Sequence, residues 1–295
     1  MERAPLIPVI AISVIMDGRP VVTRAESKQE QGPFPLGLLR GAGGALIFAL
    51  PMLMTMEMWQ LGMTLDRWRL LVLLVTGFPF MMLLSREIGF ESTRDWRQDL
   101  RDVTIAYGLG IVTSAAVMTV LAIFGNPASL SETAGMIAIQ TFPAALGAML
   151  ARGQFGDDSE PAKRDETFNG QMLIMAAGAL FLSLNVAPTE EMQLISFRMT
   201  PWHALALIPL SLALMHAFVF AASFAGGSEI SPETPWWSAF LRFTVSGYAM
   251  ALAVSLASLW LLGQLDGMSL QRALRVTVVL GFPAAIGAAA ARLIL

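Results

Sequence analysis

Eight apolar stretches, each close to the length of a membrane span and parted by short polar clusters, constrain this chain more than any other feature. They fall at about 38–59, 68–85, 103–124, 134–151, 169–187, 201–225, 240–262 and 273–294. A bilayer core of ~30 Å takes about 20 helical residues to cross. Lipid offers the backbone no hydrogen-bond partner, so segments of this kind must be helices or strands of a closed barrel. Only 14% of the 295 residues are charged, against about 25% in soluble domains, which leaves too little polar surface for a soluble α-protein. The expected fold class is therefore all-α, a polytopic membrane helix bundle of about eight transmembrane helices.

Orientation follows from the basic residues. Fourteen of the nineteen Lys and Arg lie in the N-terminal segment, in or beside the even-numbered loops, or at the C-terminus, and five (Arg67, Arg69, Arg198, Arg272 and Arg275) lie by the odd-numbered loops. The positive-inside rule then places both termini in the cytoplasm, and the localisation expected is a bacterial cytoplasmic (inner) membrane. Trp59, Trp68, Trp96, Trp202, Trp236, Trp237 and Trp260 all fall near span ends, as amphipathic rings at the headgroup level do. Trp96 and Trp236–Trp237 are read as short interfacial helices.

The chain writes one sentence twice. "TFPAALGAMLAR" at 141–152 and "GFPAAIGAAAAR" at 281–292 agree at eight of twelve positions, 140 residues apart. At the same offset Trp96 pairs with Trp236 and Thr104 with Thr244; at an offset of 134, Thr55, Glu57, Met58 and Trp68 pair with Thr189, Glu191, Met192 and Trp202. Ordered matches across both halves predict a tandem duplication into two parallel four-helix repeats, 37–152 and 169–295, joined by a cytoplasmic loop at 153–168. Four spans return the chain to its starting side, so the expected relation is a pseudo-twofold axis along the membrane normal. Residues 1–36 form an extension and linker, in which Asp17-Gly18 between β-branched runs resembles a hairpin turn; a start site placed too far upstream explains this segment equally well. No cleaved signal peptide is read there.

Pro79, Pro143, Pro209 and Pro283 lie inside the second span of successive hairpins. Proline frees a carbonyl one turn earlier, while Gly147 and Gly287 with their alanines allow close helix approach. The plain reading is a set of kinked, tightly packed inner helices; the functional one is a hydrated path lined by freed carbonyls.

Glu57 is the most informative charge. It follows Arg40 by 17 positions, about 25 Å of helix at ~1.5 Å per residue, which sets it near the outer boundary of the core. Glu191, beside Glu190, reaches a similar depth in the other half. Paired carboxylates at such depth mark ion or proton pathways, and Thr55, Thr189 and Gln60 would add oxygen ligands for a hard cation. The alternative is that these acids are merely interfacial. Gln140 and His216 are the other polar groups singled out within spans; His216 reads as an interhelical hydrogen-bonding group, and Gln140, whose mate is Leu280, as a mark of asymmetry between the halves.

Other chemistries fall away. Without cysteine there is no disulfide, thiolate metal site or Cys nucleophile. Lys28 and Lys163 lie in polar segments, so no retinal Schiff base is expected, and His203 and His216 on one helix cannot clasp a haem. No nucleophile elbow, P-loop or zinc-helix motif occurs. No cofactor and no enzymatic activity are expected, and a net charge of −3 gives no nucleic-acid footprint. The mixed-sign clusters at 85–102 and 156–166 read as solvated loops. The partners expected are the lipid bilayer and a small cation or proton, with a homo-oligomer left open.

The run Gly-Gly-Ala-Leu-Ile-Phe-Ala-Leu-Pro (43–51), leading into Thr-Met-Glu-Met-Trp (55–59) and Gly-Phe-Pro-Phe (77–80), resembles a bacterial family of integral membrane proteins of unassigned function. The resemblance covers most of the chain after residue 35 and implies no particular activity. Two functions stay open: a transporter or channel for a cation or proton, with Glu57 and Glu191 as coordinating groups, or a non-transporting membrane scaffold or accessory subunit.

Overall fold

The computed structural model describes residues 14–16, 19–21, 34–88, 96–124, 129–154, 168–224, 237 and 240–294. The turn at Asp17-Gly18, Trp236 and the loop at 156–166 lie outside them. Val14–Met16 and Arg19–Val21 pair antiparallel, Met16 opposite Arg19. Among the described residues everything else of regular structure is helical: α1 (Phe34–Leu53), α2 (Met56–Thr64), α3 (Arg67–Ile88), α4 (Trp96–Val120), α5 (Leu130–Gln154), α6 (Phe168–Val186), α7 (Glu190–Arg198), α8 (Pro201–Phe224), a π-helix (Phe240–Val245) running into α9 (Ser246–Leu261), and α10 (Leu270–Ile294).

Seven of these are long and apolar enough to cross a bilayer, and an eighth span is reached only by joining α1 to α2. That junction corrects the sequence reading. The expected span at 38–59 is broken at Met54–Thr55, and the two pieces meet at 87°. Glu57 therefore stands in the first turn of a nine-residue helix and not inside a straight span. Trp96 needs a similar correction: it opens the long helix α4 directly.

The order long, short, long, long, long occurs twice. α1 and α6 begin at Phe34 and Phe168, α2 and α7 at Met56 and Glu190, α3 and α8 at Arg67 and Pro201, each pair 134 residues apart. α5 and α10 are both 25 residues long and begin 140 apart, at Leu130 and Leu270. Each of these two is the hub of its half: α5 packs against α1, α2, α3 and α4, and α10 against α6, α7, α8 and α9. The hubs are built for it. The span of α5 is 83% buried, whereas that of α8 is only 11% buried.

Hydrophobic burial does not drive helices together in lipid, so close van der Waals packing must. Glycine supplies it at two matching crossings. A Cβ on Gly44 of α1 would overlap the carbonyl of Gly147 on α5, and a Cβ on Gly178 of α6 would overlap that of Gly287 on α10. Ala151 and Ala291 close the same contacts one turn further on. Pro143 and Pro283 do sit on these inner helices. Pro79 and Pro209 are on the exposed surfaces of α3 and α8 instead, and each leaves the carbonyl four residues earlier, of Val75 and Leu205, without its helical N–H.

The halves meet unequally. α6 packs on α1, α3 and α5, and α9 packs on α3, but α8 makes no comparable contact with α1 or α4. A strict twofold would require those reciprocal pairs. One polar clamp crosses this interface: Arg69 of α3 pairs with Asp266 at 2.8 Å, donates to the Trp260 carbonyl at 3.2 Å, and lies over the rings of Trp68 and Trp260. Gly263, at φ +72°, leaves room for that guanidinium.

The glycine crossings give a test. Gly147→Ala and Gly287→Ala should each force the paired helices apart, at about 1–3 kcal/mol from overpacking. Thermal unfolding in detergent would show a lowered midpoint for both, while Gly43→Ala, where a Cβ meets nothing within 4 Å, should leave it unchanged.

Candidate functional site

The two helix breaks are built from the backbone outward. Pro51 has no N–H, so the Ile47 carbonyl loses its helical partner, and α1 ends two residues later. The carbonyls left at that end are taken up one by one. Met52 O accepts the Thr55 hydroxyl at 2.9 Å and the amide Nε2 of the fully buried Gln140 at 3.0 Å. Leu53 O accepts the Trp59 indole N–H at 2.7 Å. A break placed among apolar helices needs such partners, because an unsatisfied carbonyl there is costly.

The second break repeats the first with different side chains. Thr189 is extended, like Thr55, and its hydroxyl donates to Val186 O at 2.8 Å. Pro188 stands in the gap. Neither threonine caps the short helix that follows it. Glu57, and Glu190 with Glu191, occupy the first turns of α2 and α7, where a negative charge complements the helix dipole.

Arginines close the far ends of the short helices from positions that do not correspond. Arg67, at the start of α3, donates to Gly62 O at 2.8 Å and Met63 O at 3.3 Å. Arg275 of α10 donates to Met199 O at 3.1 Å. The position on α5 matching Arg275 is Gly135, where a Cβ would collide with Gly62 O and the Arg67 guanidinium. Read as sequence, both arginines are only basic residues near outer loops; the capping role has no local signature. The same holds for the bond from Gln193 of α7 to Gln264 after α9.

The expected ligand residues are placed as follows. Glu57, Thr55 and Thr189 are half-buried, and Gln60, Glu190 and Glu191 are exposed. Among the described residues no hydrogen bond or ion pair joins Glu57 to Glu190 or Glu191, and no group of three or more His, Asp or Glu could hold a metal ion. Beside the breaks are buried polar atoms that meet no protein partner: Gln140 Oε1, Ser183 Oγ and Asn185 Oδ1. Asn185 donates its other amide atom to Phe181 O at 2.6 Å. His216 is placed elsewhere, its Nδ1 3.0 Å from the Thr244 hydroxyl.

At the opposite end of the first half the 85–102 cluster departs from its reading as a solvated loop. Asp99 is buried in the first turn of α4, with Arg86 Nε at 3.0 Å and the Ser85 hydroxyl at 3.4 Å. These groups tie the end of α3 to the start of α4.

Apolar spans around two small-residue crossings, exposed tryptophans at span ends and breaks satisfied by side chains define a polytopic helical membrane protein. The model of one family covers residues 37–295, and the chain belongs to that family, described as "Putative integral membrane protein (DUF2391)". No curated protein and no solved structure matches the chain.

The break in α1 leads to an expected outcome. Gln140→Leu would leave the buried Met52 carbonyl one donor short, at about 1–3 kcal/mol, and so loosen the α1–α2 junction. Hydrogen exchange in detergent should rise at Met54–Trp59 ahead of the α5 hub itself; equal protection in the variant would deny Gln140 this role.

Proposed function

We propose that this protein is a transporter or channel for a small cation or proton, formed by two tandem four-span repeats with both termini in the cytoplasm of a bacterial cell. One observation carries the reading: a long apolar helix that ends at an extended threonine, followed by a nine-residue helix, stands at the same place in each half, 134 residues apart, with Pro51 near the end of the first and Pro188 just after the second. Interrupted hydrophobic segments at corresponding positions of two halves are the best pointer to a substrate site in repeat-built transporters. Unpartnered polar atoms of Gln140, Ser183 and Asn185 beside the breaks suit a hydrated solute. Glu57 and Glu191, with Thr55 and Thr189 behind them, supply hard oxygen ligands for a cation.

A second reading has its own support. Glu190 and Glu191 are exposed, and Glu57 is not drawn to either, so the acids serve equally as first-turn charges on two interfacial helices of a non-transporting scaffold.

Ion flux into proteoliposomes, for H⁺, Na⁺, K⁺, Ca²⁺ and Mg²⁺, tests the choice. The wild type should carry at least one of these ions, and a folded Glu57→Gln, Glu191→Gln double variant should lose most of that flux, a factor of ten or more corresponding to about 1.4 kcal/mol. Flux undiminished in the double variant would remove the carboxylates from the pathway. No flux of any ion from well-folded wild type would favour the scaffold.

A further inference from the structure

Thr244 and Thr104, which the sequence pairs at an offset of 140, sit in different surroundings. Along α4 the buried stripe is Val103, Ala106, Gly110, Ser114 and Met118. In the second half it is Thr244, Gly247, Ala251, Ser255 and Leu259, each 141 positions later. The offset of 141 already holds at Leu100 and Leu241 and at Arg101 and Arg242, so Thr244 answers to Val103 and not to Thr104, and the extra position is given back before α10, which starts 140 after α5. The stretch that carries Thr244 is the π-helix Phe240–Val245. Thr104 is exposed and its hydroxyl donates to Leu100 O at 2.7 Å; Thr244 takes the inward place of Val103 and is fully buried.

What Thr244 turns toward is His216 of α8. The Nδ1–Oγ1 distance is 3.0 Å, and the imidazole meets the Phe240 ring edge-on at 5.2 Å. Thr76, Thr119 and Thr277 spend their hydroxyls on the carbonyl four residues back, as Thr104 does. Thr244 is turned to an imidazole instead. Position 82, which matches His216 in the first half, is Met. A π-turn is less stable than the α-turn it replaces and is found mostly at functional sites, and histidine is the side chain whose charge changes in the physiological pH range.

We infer that His216 and Thr244 form a proton-binding site that exists in the second half alone, where Met82 and Val103 stand at the matching positions of the first. In the neutral state the Thr244 hydroxyl donates to Nδ1. The nitrogen lone pair takes up a proton delivered through water; the imidazolium then donates to Thr244 Oγ1, whose own hydrogen turns to a carbonyl of its helix, as in the other threonines. No electron moves. α8 itself carries no acid, and neither do the π-helix, α9 or α10. The charged and titratable groups on these packed elements are Arg242, Arg292 and Tyr248 at this level and Arg272 and Arg275 toward the far end of α10. Arg242 is stacked over Phe168 and Phe243 and Arg292 over Phe243, while Tyr248 is buried on α9. The role of such a proton as coupling ion rests on the transport reading; its binding does not.

The chain has two histidines, so ¹⁵N-histidine NMR of the full chain in lipid nanodiscs resolves the site, with exposed His203 as internal control. His216 should pass reversibly between neutral imidazole and imidazolium between about pH 5 and 8. Thr244→Val, which restores the side-chain shape of Val103's place, should displace its midpoint and leave His203 alone. A His216 held in one protonation state throughout that range would overturn the inference, as would a titration identical in Thr244→Val. Proton flux on the same preparations separates the two proposals: titration without flux keeps the site and removes transport, and flux without titration removes the site alone.

Discussion

Every backbone N–H and C=O that leaves a helix inside a bilayer has to be met by the protein itself, since lipid provides nothing. That requirement governs where this chain is allowed to bend. At the end of α1 the Met52 and Leu53 carbonyls are taken by Thr55, Gln140 and Trp59, groups drawn from three separate elements. At the end of α6 a threonine and its own backbone suffice. The hub helices α5 and α10 run past these bends, and the glycine crossings hold each hub against the helix that breaks. Packing and hydrogen bonding are thus coupled: Gln140 reaches Met52 only because Gly44 and Gly147 let α1 and α5 touch.

The two halves solve one geometric problem by unlike means. Carbonyls at the end of α2 are capped by an arginine from α3, and those at the end of α7 by an arginine from α10. Gly135 is small because Arg67 occupies its space; Arg275 is large because Pro201, matching Arg67, has nothing to offer. The exchange keeps the short helix pinned at both places while every participating residue changes. Asymmetry of the same kind separates α8 from α3, which differ in burial although they begin at matching points.

Much of this was legible in the sequence, and what was not has physical causes. Long apolar runs identified the spans because hydropathy over a full crossing is a sum that local detail barely alters. The paired Phe-Pro-Ala-Ala stretches marked the hub helices, since a close crossing demands small residues in a fixed pattern. The bend at Met54–Thr55 was hidden, because Pro51 and Thr55 are both tolerated in straight membrane helices and only the distant Gln140 and the indole of Trp59 make the break affordable. Arg67, Arg69 and Arg275 looked alike as loop-side cations; their partners are a carbonyl cluster, an aspartate 197 positions away and the end of another helix. That Val103, and not Thr104, stands where Thr244 stands in the second half could be found only once the inward stripes of two helices were laid side by side. For Glu57 and Glu191, position along the chain fixes depth in a bundle but not azimuth around it, and azimuth decides whether two carboxylates converge.

The clamp around Arg69 has a consequence for the autonomy of the halves. Its guanidinium is buried among indoles that belong to both, and the carboxylate that offsets it arrives from the second. A first half standing alone would carry Arg69 without its carboxylate, at the span end where Trp260 now covers it. Arg69 thus finds its counter-charge and half of its aromatic cover across the boundary between the halves, and that seam is closed from the side of α3.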